Sequence, residues 1–253
     1  MADYTISEYC ELPSKGLIYS QSVCPNIQLR SMTTEEEMRR LSPTEYPYKT
    51  LCDIIDACMV TPCGISSYDM CLGDYQYLLH RLRVVTYGSE YPSSSICPIC
   101  GKMNKIVLDL DKIGVLNASL EELDGLRTFT LPVCGKEIRL KYQTPRDVDN
   151  ISKEEREFKI QSPESTINIT YLIALKHTID TVDGKKLEPM VLDQFLRKLS
   201  MKDTNMIYQR ATKLNDKVGI DTRINNVCSN PKCGAKYQTT FRITNEFFGP
   251  TVD

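Results

Sequence analysis

Two pairs of cysteines are the residues of this sequence best suited to chemistry. Cys97 and Cys100 stand three positions apart, and Cys228 and Cys233 stand five apart. Each pair lies between two β-like runs and is followed at once by a glycine. Such tight turns aim backbone N–H groups at thiolate sulfur, and four thiolates form the closed tetrahedral site that Zn²⁺ prefers. The sequence therefore predicts a structural zinc site with these four cysteines as its ligands.

The two halves of this predicted site are far apart in the chain, with 127 residues (101 through 227) between them. The simplest interpretation is a zinc ribbon into which a β-hairpin and several helices are inserted. Zinc would then close a long loop, where cross-linking restricts the unfolded chain most. An iron–sulfur centre and four buried thiols without metal are the alternatives. A catalytic zinc is disfavoured because four thiolates leave no open position for water or substrate.

Other candidates for chemistry are weaker. His80 and His177 lie in helical stretches and are expected to be surface or satisfied core residues rather than bases. Cys58, Cys63 and Cys71 could suggest a second metal, but they lack the turn-plus-glycine pattern of the two pairs. The sequence has no phosphate-binding loop, nucleophile elbow or HExxH motif. We therefore expect a protein that is not an enzyme and has no small-molecule substrate.

Composition limits the kinds of partner. The chain has 253 residues, 41% of them hydrophobic, and a formal net charge of −2. This charge gives no bulk attraction for nucleic acid or an anionic membrane, and no apolar run approaches the ~20 residues that span a bilayer. The first residues do not read as a secretory signal. The eleven cysteines are therefore expected in a reducing cytoplasm, ligating metal or buried.

Periodicity predicts the elements that must position the cysteines. The expected class is α+β, with a mainly helical N-terminal part and a zinc-ribbon-like β module split by an inserted β-hairpin and helices. Residues 1–86 are expected to hold strands, turns and helices, and residues 87–115 the first half of the ribbon. Residues 116–219 are the insert, and residues 220–253 are the second half of the ribbon and a C-terminal tail.

Several helix starts and one hairpin are predicted in more detail. Thr33 or Thr34 is expected to cap a helix, with an acidic residue three positions on. A hairpin is expected to turn at Cys134–Gly135, between two runs that alternate with period two. The last helix is predicted to open at Ser200 and to run through Val218. No internal repeat is expected.

A series of short motifs extends through most of the chain. They are "ELPSKGLIY", "LRSMTTEEEMRRLS", "YQYLLHRLRVVTYGSEY", "CPICGK" with "VLDLDKIGV", and "FTLPVCGKEIRLKYQTPRDVDNI". In this order they resemble the baseplate hub family of contractile-tailed, T-even-like bacteriophages. The resemblance implies a non-enzymatic structural component of the tail baseplate, in or next to the hub. It also implies a virion location, after synthesis in the host bacterial cytoplasm.

The expected partners are other phage baseplate hub, wedge or tail proteins, without nucleic acid or membrane. The N-terminal third and the ribbon surface are expected to make the protein contacts, because Tyr87, Tyr91 and Tyr237 flank the cysteine turns and exposed tyrosine is common at interfaces. The alternative is that these tyrosines are ordinary strand residues that pack on the hairpin. The alternative function is a non-virion assembly chaperone that binds hub or tail proteins and leaves. A weaker alternative is a zinc-ribbon protein that binds nucleic acid.

Overall fold

Helices and short antiparallel strands alternate along the chain. The computed structural model describes residues 5–241 and 245–248, so the predicted tail at 249–253 lies outside the described residues. The α-helices of the described residues are α1 (Thr34–Leu41), α2 (Pro47–Cys58), α3 (Leu72–Tyr87), α4 (Leu120–Arg127), α5 (Pro145–Gln161), α6 (Thr170–Lys176), α7 (Pro189–Arg197) and α8 (Met201–Asn215). The strands are β1 (Ser7–Glu11), β2 (Asn26–Arg30), β3 (Glu90–Ile96), β4 (Met103–Asp109), β5 (Val115–Asn117), β6 (Thr128–Thr130), β7 (Glu137–Leu140), β8 (Ile179–Val182), β9 (Val218–Ile220), β10 (Arg223–Val227) and β11 (Lys236–Thr240). The expected α+β class is confirmed.

The sheets of the described residues are small and antiparallel. Four of them have two strands, in the pairs β1–β2, β3–β4, β5–β9 and β10–β11, and one has three, in the order β6–β7–β8. A two-stranded hairpin is marginally stable by itself in water. Each hairpin must therefore be stabilised by packing on a core or by a cross-link.

The first hydrophobic core lies around helices α2 and α3. Ile55 of α2 and Leu78 and Leu82 of α3 are almost completely buried, and strands β1 and β2 contribute to the same core. Leu108 of β4 and the downstream Leu110 also belong to it. The hairpin β3–β4 is therefore anchored to this core at the end that is distant from its cysteine turn.

The second hydrophobic core is built almost entirely from the segment between the two cysteine pairs. Leu123 of α4, Ile138 and Leu140 of β7, Leu196 of α7 and Ile207 of α8 are buried in it. The sheet β6–β7–β8 forms one part of this core, and Phe129 of β6 pairs with Ile138 of β7 as the predicted hairpin requires. The insert thus has a core of its own.

The helix caps show which boundaries are encoded locally. Thr33 caps α1 in a capping box with Glu36, as predicted, and Ser200 caps α8 by accepting from the N–H of Asp203. Helix α2 has no cap of its own. Instead, Asp149 of α5 accepts from the N–H of Lys49 at 2.9 Å. Helix α5 was not among the predicted helices, because its polar sequence has a weak apolar period.

One predicted helix end is wrong. Helix α8 ends at Asn215, and Val218–Ile220 forms β9, which pairs with β5. At this point the strand lies directly against the start of α3, where a Cβ on Gly73 would lie 2.1 Å from the Val218 carbonyl oxygen. Gly219 has φ +129°, which L side chains rarely adopt. Helix α8 therefore ends before Val218, because Val218–Ile220 pairs with β5 and contacts the backbone at Gly73.

Candidate metal centre

The two cysteine turns meet at the ends of the hairpins β3–β4 and β10–β11. The four sulfur atoms of Cys97, Cys100, Cys228 and Cys233 all lie within 4.8 Å of one another. The Sγ–Sγ distance is 3.9 Å from Cys97 to Cys233 and 3.5 Å from Cys100 to Cys228. Tetrahedral zinc with Zn–S bonds of about 2.3 Å requires sulfurs about 3.8 Å apart. The structure thus brings together all four cysteines that the sequence analysis singled out, at spacings that fit zinc.

Both turns are closed by backbone hydrogen bonds of the first cysteine and of the glycine. The N–H of Cys97 donates to the carbonyl of Lys102, and the N–H of Gly101 donates to that of Cys97, both at 2.9 Å. In the second turn Cys228 donates to Ala235 at 2.9 Å, and the glycine donates back into the turn. Both glycines have positive φ, which a left-handed turn position favours. A glycine therefore follows each cysteine pair because the turn requires a positive φ at that position.

Polar side chains join the two hairpins beside the sulfur cluster. The hydroxyl of Tyr237 lies 2.8 Å from Ser95 Oγ and accepts from Asn104 Nδ2 at 2.9 Å. Asn104 is buried, and its Oδ1 accepts from the backbone N–H of Ser229 at 2.7 Å. These hydrogen bonds join the two hairpins beside the sulfur atoms.

The tyrosines near the turns do not form the exposed contact surface that was expected. Tyr237 is half-buried between the hairpins, and Tyr87 and Tyr91 are half-buried against the first core. The guanidinium of the buried Arg83 lies 4.9 Å from the ring centroid of Tyr87. The expectation of exposed tyrosines is wrong because each ring packs on, or hydrogen-bonds to, a neighbouring element.

The pKa values of the clustered thiols shift in different directions. A hydrogen bond from the backbone N–H of Lys102 lowers the pKa of Cys100 to about 6. The pKa of Cys228 is raised: the N–H of Asn230 lowers it, but burial and the hydrogen bonds to Cys100 and Cys97 outweigh that effect. The pKa of Cys233 is raised to about 11, because burial and the neighbouring sulfurs outweigh the N–H of Ala235. Thiolate is the form that binds metal, and Cys100 reaches it most readily of these three.

The trio Cys58, Cys63 and Cys71 does not form a second site. Cys58 lies 3.6 Å from a carboxylate oxygen of Glu36, and Cys63 donates to the carbonyl of Ile65. Among the described residues, the four clustered cysteines are the one His, Cys, Asp or Glu group close enough to hold a metal. Burial raises the pKa of Cys58 to about 12, so this thiol stays protonated.

One histidine is satisfied by its neighbours and the other is not. His177 lies between two carboxylates, with Nδ1 3.2 Å from Asp147 and Nε2 2.6 Å from Glu154. Burial lowers the pKa of His177, but these two carboxylates outweigh burial and raise it. His80 is buried beside Phe247, and burial lowers its pKa to about 4. Neither ring nitrogen of His80 has a hydrogen-bond partner among the described residues, so the expectation of a surface or satisfied core residue is wrong for His80.

A third turn of the same kind, with one cysteine instead of two, occurs at residues 131–136. In "LPVCGK", Leu131 stands where "CPICGK" has Cys97. The N–H of Leu131 donates to Lys136 at 2.8 Å, and that of Gly135 donates to Leu131 at 3.1 Å, as in the first turn. The shared Pro–aliphatic–Cys–Gly–Lys run was the sequence signal that could have revealed it.

The third turn is held by a carboxylate instead of a sulfur cluster. Asp203 of α8 accepts from the N–H of Val133 at 2.9 Å and from that of Cys134 at 3.1 Å. Burial raises the pKa of Asp203, but these N–H groups outweigh burial and hold it below its usual range. Nothing in the sequence marks Asp203 for this role, because its partners lie about 70 positions away.

Comparison with known proteins agrees with this arrangement of motifs. A family model described as T4 bacteriophage base plate protein matches residues 4–249, nearly the whole chain. The chain belongs to this family. The resemblance to T-even-like baseplate proteins is thereby confirmed, and membership indicates a phage tail protein that contacts other tail proteins. No curated protein and no solved structure matches the chain.

Within residues 5–241 and 245–248, none of the helices is both long enough and apolar enough to cross a bilayer.

Proposed function

We propose that this protein is a non-enzymatic structural component of a contractile phage tail baseplate, in or next to the hub. In this proposal Cys97, Cys100, Cys228 and Cys233 bind one structural Zn²⁺. The observation that carries the zinc proposal is the four-sulfur cluster, whose members come from the two ends of a 127-residue segment. Family membership carries the baseplate role.

The metal would act as a clasp. Hairpins β3–β4 and β10–β11 are two-stranded sheets that meet through a few polar contacts and the sulfur cluster. Four thiolates around zinc would complete its coordination, so the ion would stabilise the fold and not activate a water. A rigid clasp suits a protein whose work is to hold neighbours in fixed positions.

We further propose the division of the chain into 1–86, 87–115, 116–219 and 220–253, with the third segment as the insert. Two observations support it. The second core is formed almost entirely from residues between the cysteine pairs, and the first core takes Leu108, Leu110 and Ile220 from the ribbon segments. Zinc would thus join the two ends of the insert at one point.

The proposed partners are baseplate hub, wedge or tail proteins, reached in the virion after synthesis in the host cytoplasm, without nucleic acid or membrane. A Zn(Cys)₄ centre carries a formal charge near −2. Around the first turn, Glu90, Asp109 and Asp111 offset Lys102, Lys105 and Lys112. Around the second, Arg223, Lys232 and Lys236 slightly outnumber Asp221, an excess that the formal charge of the centre balances. Such a surface lacks the basic character on which nucleic-acid affinity depends.

Mass spectrometry of purified tails, with zinc analysis of the recombinant chain, tests these proposals. A fixed copy number per tail, in a multiple of three or six, with one zinc per chain supports the structural role. Abundance in infected cells but absence from purified tails would instead establish the assembly chaperone. Recombinant chain without zinc, or with iron, would contradict the zinc assignment while leaving the baseplate role intact.

A further inference from the structure

One position of the cysteine turns carries a different residue in each of the three turns. In every turn the glycine N–H donates to the carbonyl of the residue four positions earlier. That residue is Cys97 in the first turn, Asn230 in the second and Leu131 in the third. By this hydrogen bond Asn230, and not Cys228, occupies the place of Cys97. The second turn therefore has an amide side chain where the first turn has a sulfur.

The longer spacing of the second cysteine pair follows from this substitution. Cys97 donates its N–H to the carbonyl of Lys102, five positions on. Cys228 donates to the carbonyl of Ala235, seven positions on, so the second turn is two residues longer. The N–H of Asn230 donates to the Sγ of Cys228 at 3.4 Å. The two extra residues therefore place Asn230 beside the sulfur atoms.

The side-chain amide of Asn230 has a defined orientation. Its Oδ1 accepts from the backbone N–H of Lys232 at 3.1 Å, which is an Asx turn and distinguishes the oxygen of the amide from its nitrogen. The other end of the amide, Nδ2, donates to the Sγ of Cys100 at 3.8 Å. Asn230 thus donates to one sulfur of each hairpin, to Cys228 from its backbone and to Cys100 from its side chain.

Cys100 is the most exposed of the four proposed ligands. Cys97 and Cys228 are buried and Cys233 is half-buried, whereas Cys100 is exposed. Four thiolates around Zn²⁺ carry a formal net charge of about −2, and a thiolate is a nucleophile. An N–H group that donates to a sulfur ligand reduces the charge on that sulfur and fixes its direction. The donor from Asn230 therefore acts on the sulfur that solvent reaches most easily.

We propose that Asn230 is a positioning residue of the metal centre, whose side-chain amide holds the sulfur of Cys100 in place and lowers its reactivity. This inference rests on the zinc centre of the proposed function. The same place in the turn then serves three purposes. Cys97 is a metal ligand there, Leu131 is a core residue, and Asn230 is a hydrogen-bond donor to two ligands.

Three variants of the full chain separate this role from a role in shaping the turn. Asn230→Asp keeps an acceptor for the N–H of Lys232, but it removes the amide donor and places a carboxylate beside Cys100. Asn230→Ala removes both the acceptor and the donor. Asn225→Asp is the matched control, because Asn225 is exposed on β10 of the same hairpin and its Oδ1 accepts from Gln238, which aspartate preserves.

Zinc affinity is measured by competition with a chromophoric chelator, and the sulfur-to-metal charge-transfer band is recorded after substitution with Co²⁺. Asn230→Asp and Asn230→Ala should both weaken zinc binding by about tenfold or more, as loss of a hydrogen-bond partner of a ligand typically does. Both should shift the band to lower energy, because the sulfur loses a donor that stabilises its lone pairs. Asn225→Asp should stay within about twofold of wild type, since a single exposed charge has little effect.

Alkylation of the zinc-loaded chain measures the reactivity of Cys100 directly. Its sulfur displaces iodide from iodoacetamide and forms a sulfur–carbon bond, and peptide mass spectrometry locates the product. Alkylation at Cys100 should be severalfold faster in Asn230→Ala than in wild type, and alkylation at the buried Cys97 should not change.

Two results would overturn the proposal and leave the zinc centre standing. Wild-type affinity with an unshifted band in Asn230→Asp would mean that Asn230 only shapes the turn. Equal weakening in Asn225→Asp would mean that added charge alone explains the loss. A wild-type chain that binds neither zinc nor Co²⁺ would instead remove the metal centre of the proposed function, and the role of Asn230 with it.

Discussion

Two turns of this protein share a backbone but are held in different ways. Turn 97–102 and turn 131–136 have matching hydrogen bonds and a glycine at positive φ. In the first, two sulfurs face two more from a hairpin that is distant in sequence. In the second, the carboxylate of Asp203 receives two backbone N–H groups. The turn geometry therefore does not require a metal, only an acceptor at its centre.

The difference follows from what surrounds each turn. Leu131 and Cys97 occupy the same position, and each is 1% exposed. Leu131 packs into the second core, whereas Cys97 packs against the other sulfurs. A turn that lies on a hydrophobic core is stabilised by that core. A turn at the distant tip of a two-stranded hairpin has no such support, and there a metal contributes most.

The largest expected effect is on the sulfur cluster. Cys97→Ser should abolish stoichiometric zinc binding and lower the free energy of unfolding by about 4 kcal/mol or more, because the hairpins lose their cross-link. Zinc analysis and urea unfolding measure the two quantities. Cys134→Ser, at the matching position of Cys100 in the metal-free turn, should change neither. Equal zinc loss in both variants would mean that the two turns do not differ in metal binding.

The next test gives the third turn the two cysteines that the first turn has. Leu131→Cys produces a CPxCG-like pair in the insert but removes a buried leucine, so we expect a loss of about 2 kcal/mol in stability. Zinc should remain at one per chain, because two sulfurs do not complete a tetrahedral site. A second zinc in this variant would show that the metal-free turn differs from the first by one residue only.

Removing the carboxylate of Asp203 tests how turn 131–136 is stabilised without a metal. Asp203→Ala leaves the N–H groups of Val133 and Cys134 without their acceptor, and we expect Tm to fall by about 4 °C. Hydrogen exchange should become faster at these two amides and stay unchanged at Gly101. Unchanged exchange at Val133 would mean that Asp203 does not hold the turn.

As the pH falls, turn 97–102 should lose its zinc before turn 131–136 loses its hydrogen bonds to Asp203. The folded-state pKa of Asp203 is depressed, so its contribution is present above the pKa of the unfolded chain and is lost as pH falls through the lower folded value. Thiolates lose zinc as they take up protons, at higher pH than a depressed carboxyl titrates. Zinc release should therefore precede the loss of Gly135 amide protection in a pH titration followed by NMR. If zinc and the Gly135 amide protection were lost at the same pH, the two turns would not be stabilised independently.

The smallest effect is expected beside the cluster. Tyr237→Phe removes the hydroxyl between Ser95 and Asn104 and should cost about 1 kcal/mol. Zinc should stay bound, since all four sulfurs remain. Urea unfolding with zinc analysis measures both, and a loss of zinc here would mean that the polar contacts, rather than the metal, position the hairpins.

Much of the architecture was predictable because it is encoded locally. The capping box of α1, the start of α8 at Ser200 and the hairpin between β6 and β7 depend on residues close together in sequence. Helix α5 was missed because its apolar period is weak, although Thr144 and Asp147 form a local capping box at its start. The cap that Asp149 of α5 gives to α2 was missed because Lys49 lies 100 positions away, which periodicity does not reveal.

The sequence by itself determined which cysteines are candidates for a metal, since glycine-bearing turns are local patterns. It also determined the family, since the motifs are spread along nearly the whole chain. Only the tertiary structure decided that Tyr237 is an internal hydrogen-bonding residue and that Asp203 replaces a sulfur cluster. The physical reason is that the burial of a side chain and its hydrogen-bond partners depend on segments that are distant in sequence and meet only in the folded chain. No local pattern in one segment reveals them.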